Sequence, residues 1–69
     1  MKVGPYLIEN KSDADGRLDA QLANLDAGTM DRIRRDADIY IRDETVKKYY
    51  LDEAARRLTA LGRSDLLGD

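Results

Sequence analysis

Hydrophobic residues in the last third of the chain recur at the spacing of an α-helix. They are Val46, Tyr50, Ala54, Leu58 and Leu61. Steps of four, four, four and three residues place all of them on one side of a helix. Asp43 before this stripe is a candidate N-cap, and Gly62 after it is a candidate C-terminal stop. The pattern predicts a helix over residues 44–61.

An earlier stripe predicts another helix over residues 13–26. Its members are Ala14, Leu18, Leu22 and Leu25. Ser12 stands three residues before Asp15, which is the pattern of a capping box, so Ser12 is the candidate N-cap. Gly28 is placed to end this helix. Because glycine lowers helix stability by about 1 kcal/mol relative to alanine, the start could lie as late as Gly16.

The middle of the chain predicts a helix over residues 30–41. Its apolar stripe consists of Met30, Ile33, Ala37, Tyr40 and Ile41. Thr29 is the candidate N-cap. Arg32, Arg35 and Asp36 fall outside the stripe.

Ile39 does not fit the stripe of this middle helix, because it projects to the opposite side. One interpretation is that the helix ends near Asp38 and that residues 39–41 are extended. The other is that Ile39 is helical and exposed for a purpose. A short apolar run does not decide between them by periodicity alone, so both remain open.

The start of the chain lacks helical periodicity. Gly4 and Pro5 exclude a helix start there, and Tyr6, Leu7 and Ile8 are residue types that favour an extended segment. Residues 1–10 are therefore predicted to form an extended lead with a short strand.

The fold class predicted from these elements is mostly α. We expect one domain over residues 1–69, a small three-helix domain with an N-terminal extended or short β segment. Residues 63–69 form a tail in which Leu66 and Leu67 either fold back on the core or fray.

Acids and bases four residues apart support each predicted helix. The pairs are Asp13 with Arg17, Asp31 with Arg35, Asp38 with Arg42, Glu44 with Lys48, Asp52 with Arg56 and Glu53 with Arg57. Each has the acid on the N-terminal side, which is the stabilising orientation, at about 0.2 to 0.5 kcal/mol per pair.

The composition argues against an enzyme. The chain has 69 residues, no cysteine and no histidine, so it lacks the commonest general base and the usual ligands of zinc. Residues 11–22 resemble a calcium loop around Gly16, but Lys11 and Leu22 stand where ligands are needed. We expect no catalytic residue, no cofactor and no metal. No apolar run approaches the length of a membrane span, and we expect a cytoplasmic protein.

A nucleic-acid binder is the main alternative, because two helices joined by a short break could form a helix-turn-helix. The 12 lysines and arginines are outnumbered by 14 acids, giving a formal net charge of -2. The acids interleave with the bases near the break, so a phosphate backbone would meet repulsion as well as attraction. A direct nucleic-acid contact is therefore not favoured.

A protein-binding surface fits the residue types better, because tyrosine and arginine are enriched at interface hot spots. Tyr49 lies off the stripe of the third helix and is expected to be exposed. Ile39 stands among Arg32, Arg35 and Arg42 at the second helix. Tyr6 and Ile8 could pair with a partner's sheet edge. The alternative for each of these side chains is a packing role in the domain itself.

The opening MKVGPYLIEN and the stretch IYIRDETVKKYYLDEAARRL resemble the small phage-encoded regulators that bind host RNA polymerase. The resemblance implies a non-enzymatic module that binds a polymerase subunit and impairs promoter initiation by disturbing sigma-factor engagement. In some members it also implies read-through of terminators. It assigns no functional residue. We expect a monomer in the absence of its partner. The size and acidity also fit antitoxins and inhibitors of host defence.

Overall fold

The computed structural model describes residues 7–68, and it consists of three α-helices followed by a short 3-10 helix. Their bounds are α1 Lys11–Gln21, α2 Thr29–Tyr40, α3 Glu44–Ala60 and the 3-10 helix Ser64–Leu67. The predicted mostly α class is confirmed. No strand occurs within residues 7–68. The end of the predicted lead is joined to α2 by one hydrogen bond, from the Ile8 N–H to the Tyr40 carbonyl at 2.9 Å.

Cross-helix contacts define the directions of the helices. Near the start of α1, the Lys11 ammonium lies 5.3 Å from the centre of the Tyr49 ring on α3. Near the end of α1, Asp19 pairs with Arg57 at 2.8 Å, further along α3. The two helices therefore run in the same direction. Helix α2 runs in the opposite direction, because its end meets the segment before α1 and its middle meets the end of α1.

The core contains most of the apolar stripes of the three helices, but Leu61, the last residue of the predicted α3 stripe, is exposed. The buried members of the core are Ile8, Ala14, Leu18, Met30, Ile33, Ala37, Ile41, Val46, Tyr50, Ala54, Leu58 and Leu66. Complete burial of a leucine or isoleucine side chain contributes about 1.5 to 3 kcal/mol, so a few such residues dominate the stability of a domain this small. Leu66 is buried and Leu67 packs against the core, so the tail folds back rather than frays.

The start of α1 differs from the prediction. The helix begins at Lys11, and Asn10 is its N-cap, because the Asn10 side chain accepts a hydrogen bond from the Asp13 N–H at 2.8 Å. Asp13 in turn accepts from the Glu9 N–H at 3.1 Å. Ser12 lies inside the first turn and is exposed. The asparagine therefore caps the helix two residues earlier than the predicted serine.

The end of α1 also differs, because the helix stops at Gln21 rather than at residue 26. The loop after it is closed by hydrogen bonds of its own. Asp26 accepts from the Gly28 N–H at 2.8 Å, and its own N–H donates to the Thr29 hydroxyl at 2.8 Å. These local bonds compete with helix for residues 26–29. Leu25 still packs against the core from the loop.

The structure decides between the two interpretations of Ile39. Helix α2 continues to Tyr40, so Ile39 is helical, and 54% of its surface is exposed. Ile41 follows the helix with extended backbone and is nonetheless buried. Thr29 is the first residue of α2 rather than its cap; Gly28 holds the cap position without a side-chain hydrogen bond.

Both predicted ends of α3 are close to the observed ones. The Asp43 carboxylate accepts hydrogen bonds from the N–H groups of Thr45 and Val46, so its role as N-cap is confirmed. The helix ends at Ala60, one residue before the predicted end. Gly62 then adopts a φ of 75°. The Gly62 and Arg63 N–H groups donate to carbonyls of the last helical turn, which is a Schellman motif.

The predicted acid–base pairs are largely replaced by other partners. Of the six, residues 7–68 contain only Glu53 with Arg57, at 3.3 Å. Arg17 reaches Asp36 on α2 instead of Asp13 on its own helix. Arg57 also pairs with Asp15 on α1, at 3.1 Å. Lys48 and Arg56 instead pair with other acids of α3, Asp52 at 3.0 Å and Glu53 at 3.4 Å.

Substitution of two glycines tests the backbone conformations at Gly16, inside α1, and at Gly62, after the end of α3. A Cβ at Gly16 meets nothing within 4 Å and lies in a helix, so Gly16→Ala should stabilise the domain by up to about 1 kcal/mol. Gly62→Ala places a side chain at positive φ and should destabilise it by about 1 kcal/mol. Urea unfolding of both variants measures the difference. Shifts of equal sign would contradict the assigned end of α3.

Candidate partner-binding surface

The outward side of α2 brings together three of the residues singled out in the sequence. At 100° per residue, Arg32, Arg35 and Ile39 fall within an arc of about 60°, and they are here called the α2 face. Ile39 and Arg35 are exposed, and Arg32 is half-buried. The predicted grouping of an apolar side chain with arginines is therefore present on one helix side.

Arg32 is the fixed member of the α2 face. Its guanidinium pairs with Asp26 at 3.1 Å and also reaches the Asn24 carbonyl at 3.5 Å. The hydrogen bond from the Gly28 N–H, followed by that from Arg32, lowers the pKa of Asp26. Arg32 therefore ties the start of α2 to the loop before it, whereas Arg35 makes no ion pair within residues 7–68.

The side of α2 next to the α2 face is anchored by a buried carboxylate. Asp36 is only 6% exposed, and it accepts hydrogen bonds from both neighbouring helices. Arg17 donates to it through Nε at 2.7 Å and Nη2 at 3.2 Å, and Gln21 donates at 2.8 Å. The Tyr50 hydroxyl donates to the same carboxylate at 3.0 Å. One side chain of α2 thus fixes its position against α1 and α3.

The charges of this network explain the direction of each pKa shift. Burial works against the ionised form of Asp36, but the hydrogen bonds from Arg17 and Tyr50 outweigh it, so the pKa of Asp36 lies below its ordinary value. Burial, together with the negative charge of Asp36, raises the pKa of the Tyr50 hydroxyl. The bond to Asp36 raises the pKa of Arg17. The carboxylate is therefore the anionic centre of the core.

The role of Asp36 was not predicted, because this residue lies outside the apolar stripe of its helix. A usable signal was present elsewhere in the chain. Tyr50 was correctly predicted to face inward, and a buried tyrosine hydroxyl usually needs a hydrogen-bond partner. Arg17 and Gln21 lie four residues apart on α1 and offer donors on one side of that helix. A buried acceptor on α2 can accept hydrogen bonds from the Tyr50 hydroxyl and from these two α1 side chains.

The C-terminal tail is attached to α2 through Arg34. Its guanidinium donates to the Leu67 carbonyl at 3.0 Å and pairs with Asp31 at 3.4 Å. Leu66, on the same short helix, is buried in the core. The tail thus holds a second side of α2 and leaves the α2 face as the side that is open to solvent.

The expected exposure of Tyr49 is wrong. Its ring is half-buried against the core, and its hydroxyl donates to Asp15 on α1 at 2.7 Å. This hydrogen bond, followed by burial, raises the pKa of the hydroxyl. The Lys11 ammonium lies over the ring. Tyr49 therefore joins α1 to α3 and lies apart from the α2 face, in agreement with the packing alternative.

Ile8, which was predicted to pair with a partner's sheet edge, packs within the domain instead. Its side chain is 1% exposed and belongs to the core, and its N–H is bonded to the Tyr40 carbonyl. Ile8 thus has the packing role that was the alternative. Tyr6 lies outside the described residues.

Other surface features of residues 7–68 are few. Leu61 is 57% exposed and lines a shallow apolar groove between the ends of α1 and α3. A concavity of about 220 Å³ lies beside the end of α2. Within this part of the chain, no three acidic side chains are grouped so that they could hold a metal ion. No described helix combines the length and the apolar character that a membrane crossing requires.

Comparison of the chain with known protein families, curated proteins and solved structures gives no match. The resemblance noted in the sequence therefore has no support from these comparisons.

Removal of the buried carboxylate should destabilise the domain. Asp36→Ala leaves Arg17 and the Tyr50 hydroxyl without their acceptor, and we expect a loss of about 3 kcal/mol in the free energy of unfolding. This is the lower end of the range for breaking a buried charge pair, since Arg17 is 32% exposed. Asp52→Ala, which removes the exposed partner of Lys48, should cost less than about 0.5 kcal/mol. Equal losses in the two variants would contradict the anchoring role of Asp36.

The lowered pKa of Asp36 predicts how its contribution varies with pH. Its stabilising effect should be complete above the pKa of an unfolded aspartate, about 3.9. It should be lost as the pH falls through the lower pKa of the folded protein. The difference in unfolding free energy between the natural chain and Asp36→Asn should therefore be largest at neutral pH and shrink in acid. A difference that grows as the pH falls would mean that the sign of the shift is wrong.

Proposed function

We propose that this protein is a non-enzymatic regulator that binds a subunit of bacterial RNA polymerase through the α2 face and so disturbs the engagement of a sigma factor. The resemblance of the sequence to small phage-encoded regulators supplies the partner. The α2 face supplies the surface. The action would take place in the bacterial cytoplasm and would require one copy of the protein for each polymerase.

The observation that carries the proposal is the exposure of Ile39 between arginines on a rigid helix. Burial of a single isoleucine side chain against a partner contributes about 1.5 to 3 kcal/mol. Arginine is among the residue types that most often dominate the binding energy of protein interfaces. Because Asp36 and Arg34 hold the other sides of α2, the helix presents Ile39 without having to reorganise.

Binding of this kind regulates a target through differential affinity. A partner that binds one conformational state of a polymerase more tightly shifts the enzyme towards that state. A domain of this size also occludes the surface on which it sits. Either effect reduces initiation without a chemical step, which matches a chain without histidine or cysteine.

Binding to purified bacterial RNA polymerase tests the proposal. The natural chain should form a one-to-one complex with the polymerase and lower the yield of single-round transcription from a promoter. Ile39→Ser should weaken the complex tenfold or more, about 1.4 kcal/mol. Arg35→Glu should weaken it to a similar extent, because it reverses the charge beside Ile39. Biolayer interferometry and promoter run-off assays measure the two effects.

Leu61→Ser is the matched control for Ile39→Ser. Leu61 is the other large apolar side chain exposed within residues 7–68, and the same change there should leave polymerase binding within about twofold of the natural chain. Thermal unfolding confirms that both variants are folded. Failure of the natural chain to bind core polymerase or holoenzyme would exclude this partner. An equal loss in the two serine variants would exclude the α2 face.

A further inference from the structure

We infer that residues 64–68 form a releasable strap, which opens while the three helices stay packed against one another. The structure holds the strap in its closed form. Opening frees the Arg34 guanidinium from the Leu67 carbonyl and uncovers the apolar site in which Leu66 is buried. The inference concerns the flank of α2 beside the tail, and it does not depend on polymerase as the partner.

Few contacts attach the strap to the helices. Leu66 is its one buried side chain, and Leu67 packs against the core with part of its surface exposed. Within residues 7–68, a single hydrogen bond joins the strap to a helix, from the Arg34 guanidinium to the Leu67 carbonyl at 3.0 Å. The closed form therefore depends on one leucine and one arginine.

The strap begins where the anchoring of the chain to α3 ends. The Arg63 N–H donates to the Leu58 carbonyl at 2.8 Å, within the Schellman motif. Beyond this point, the Leu66 N–H donates to the Arg63 carbonyl at 3.0 Å, and Asp65 pairs with Arg63 at 3.2 Å. Because these two contacts join residues two or three positions apart, they do not attach the strap to the helices. Rotation of the backbone after Arg63 can release the strap and leave α3 intact.

The three helices are joined to one another by more contacts than the strap is. Four hydrogen bonds from α1 and α3 meet at the buried Asp36 carboxylate of α2. Arg57 on α3 also pairs with Asp15 and Asp19 on α1. Segments with few buried apolar contacts and few tertiary hydrogen bonds open at a lower free energy than the whole domain does. The strap should therefore open before the helices separate.

The open form differs from the closed form at one flank of α2. Arg34 keeps its ion pair with Asp31 at 3.4 Å, in which both side chains are exposed, and its bond to the strap is lost. The site of Leu66, where the strap contacts α2 and α3, loses its cover. The closed form shows what this site binds, namely a leucine side chain next to a carbonyl oxygen that Arg34 can reach. A ligand that supplies both groups shifts the domain towards the open form.

Native-state hydrogen exchange of the full chain tests the inference. The opening equilibrium constant measured at the Leu66 amide should exceed those at the Tyr50 and Ala54 amides of α3 by about tenfold or more. Low concentrations of urea should change the opening at Leu66 little, because a local opening exposes little surface. Equal opening constants at the three amides, with equal dependence on urea, would overturn the inference.

Arg34→Met and Arg63→Met are a matched pair of variants. Arg34→Met removes the hydrogen bond between α2 and the strap, so it should raise the opening constant at Leu66 about fivefold and leave Tyr50 unchanged. Arg63→Met removes the same charge from an ion pair inside the tail and should change opening less than about twofold. An effect of Arg34→Met no larger than that of Arg63→Met would overturn the inference.

A separate peptide tests the chemistry of the uncovered site. Leu66→Ser should release the strap, and a blocked peptide with the sequence of residues 63–68 should then shift the amide signal of Arg34 in nitrogen-15 spectra. The natural chain, whose own strap fills the site, should bind this peptide about tenfold more weakly or worse. The same peptide with serine in place of its first leucine should produce no shift. Equal responses to the two peptides, or none from a folded Leu66→Ser chain, would overturn the inference. If Leu66→Ser is unfolded, the same titration on Arg34→Met, read at the Leu51 amide, takes its place with the same outcomes.

Discussion

A single buried carboxylate, that of Asp36, requires three helices to meet at one point. Removing an ionised carboxylate from water is costly unless donors replace the water. Here Arg17 and Gln21 supply them from α1, and Tyr50 supplies one from α3. Apolar packing alone would allow α2 to rotate or slide against its neighbours, whereas four directed hydrogen bonds permit one arrangement. The position of every other residue of α2 follows from this constraint, including the side that faces solvent.

The outward side of α2 is exposed to solvent because the other sides of the helix are in contact with the rest of the domain. Arg34 attaches the tail along one flank, and Arg32 attaches the preceding loop at the start of the helix. Ile39, Arg35 and Asp38 remain exposed, one apolar and two charged side chains on a helix that is already immobilised. Association then costs little additional ordering of the protein, so even a modest contact area can yield measurable affinity.

Periodicity was sufficient to predict the three helices and the apolar residues that join them. It failed where a local hydrogen bond outcompeted the expected one, as at Asn10, which caps α1 in place of Ser12. It also failed where polar side chains act between helices. Asp36 and Tyr49 were both assigned by their position on a single helix, yet each is determined by a residue on another helix. Periodicity left two interpretations of Ile39 open, and the helical, exposed one agrees with the structure, in which no residue of another helix covers it.

The parallel arrangement of α1 and α3 has a consequence for the order in which the chain folds. Helices α2 and α3 are separated by three residues and can meet as an antiparallel pair as soon as they form. The contacts that join α1 to α3 connect residues 34 to 42 positions apart, from Tyr49 with Asp15 to Arg57 with Asp15. Closing a long loop costs more entropy than closing a short one. The hairpin of α2 and α3 should therefore assemble first and serve as the template onto which α1 docks.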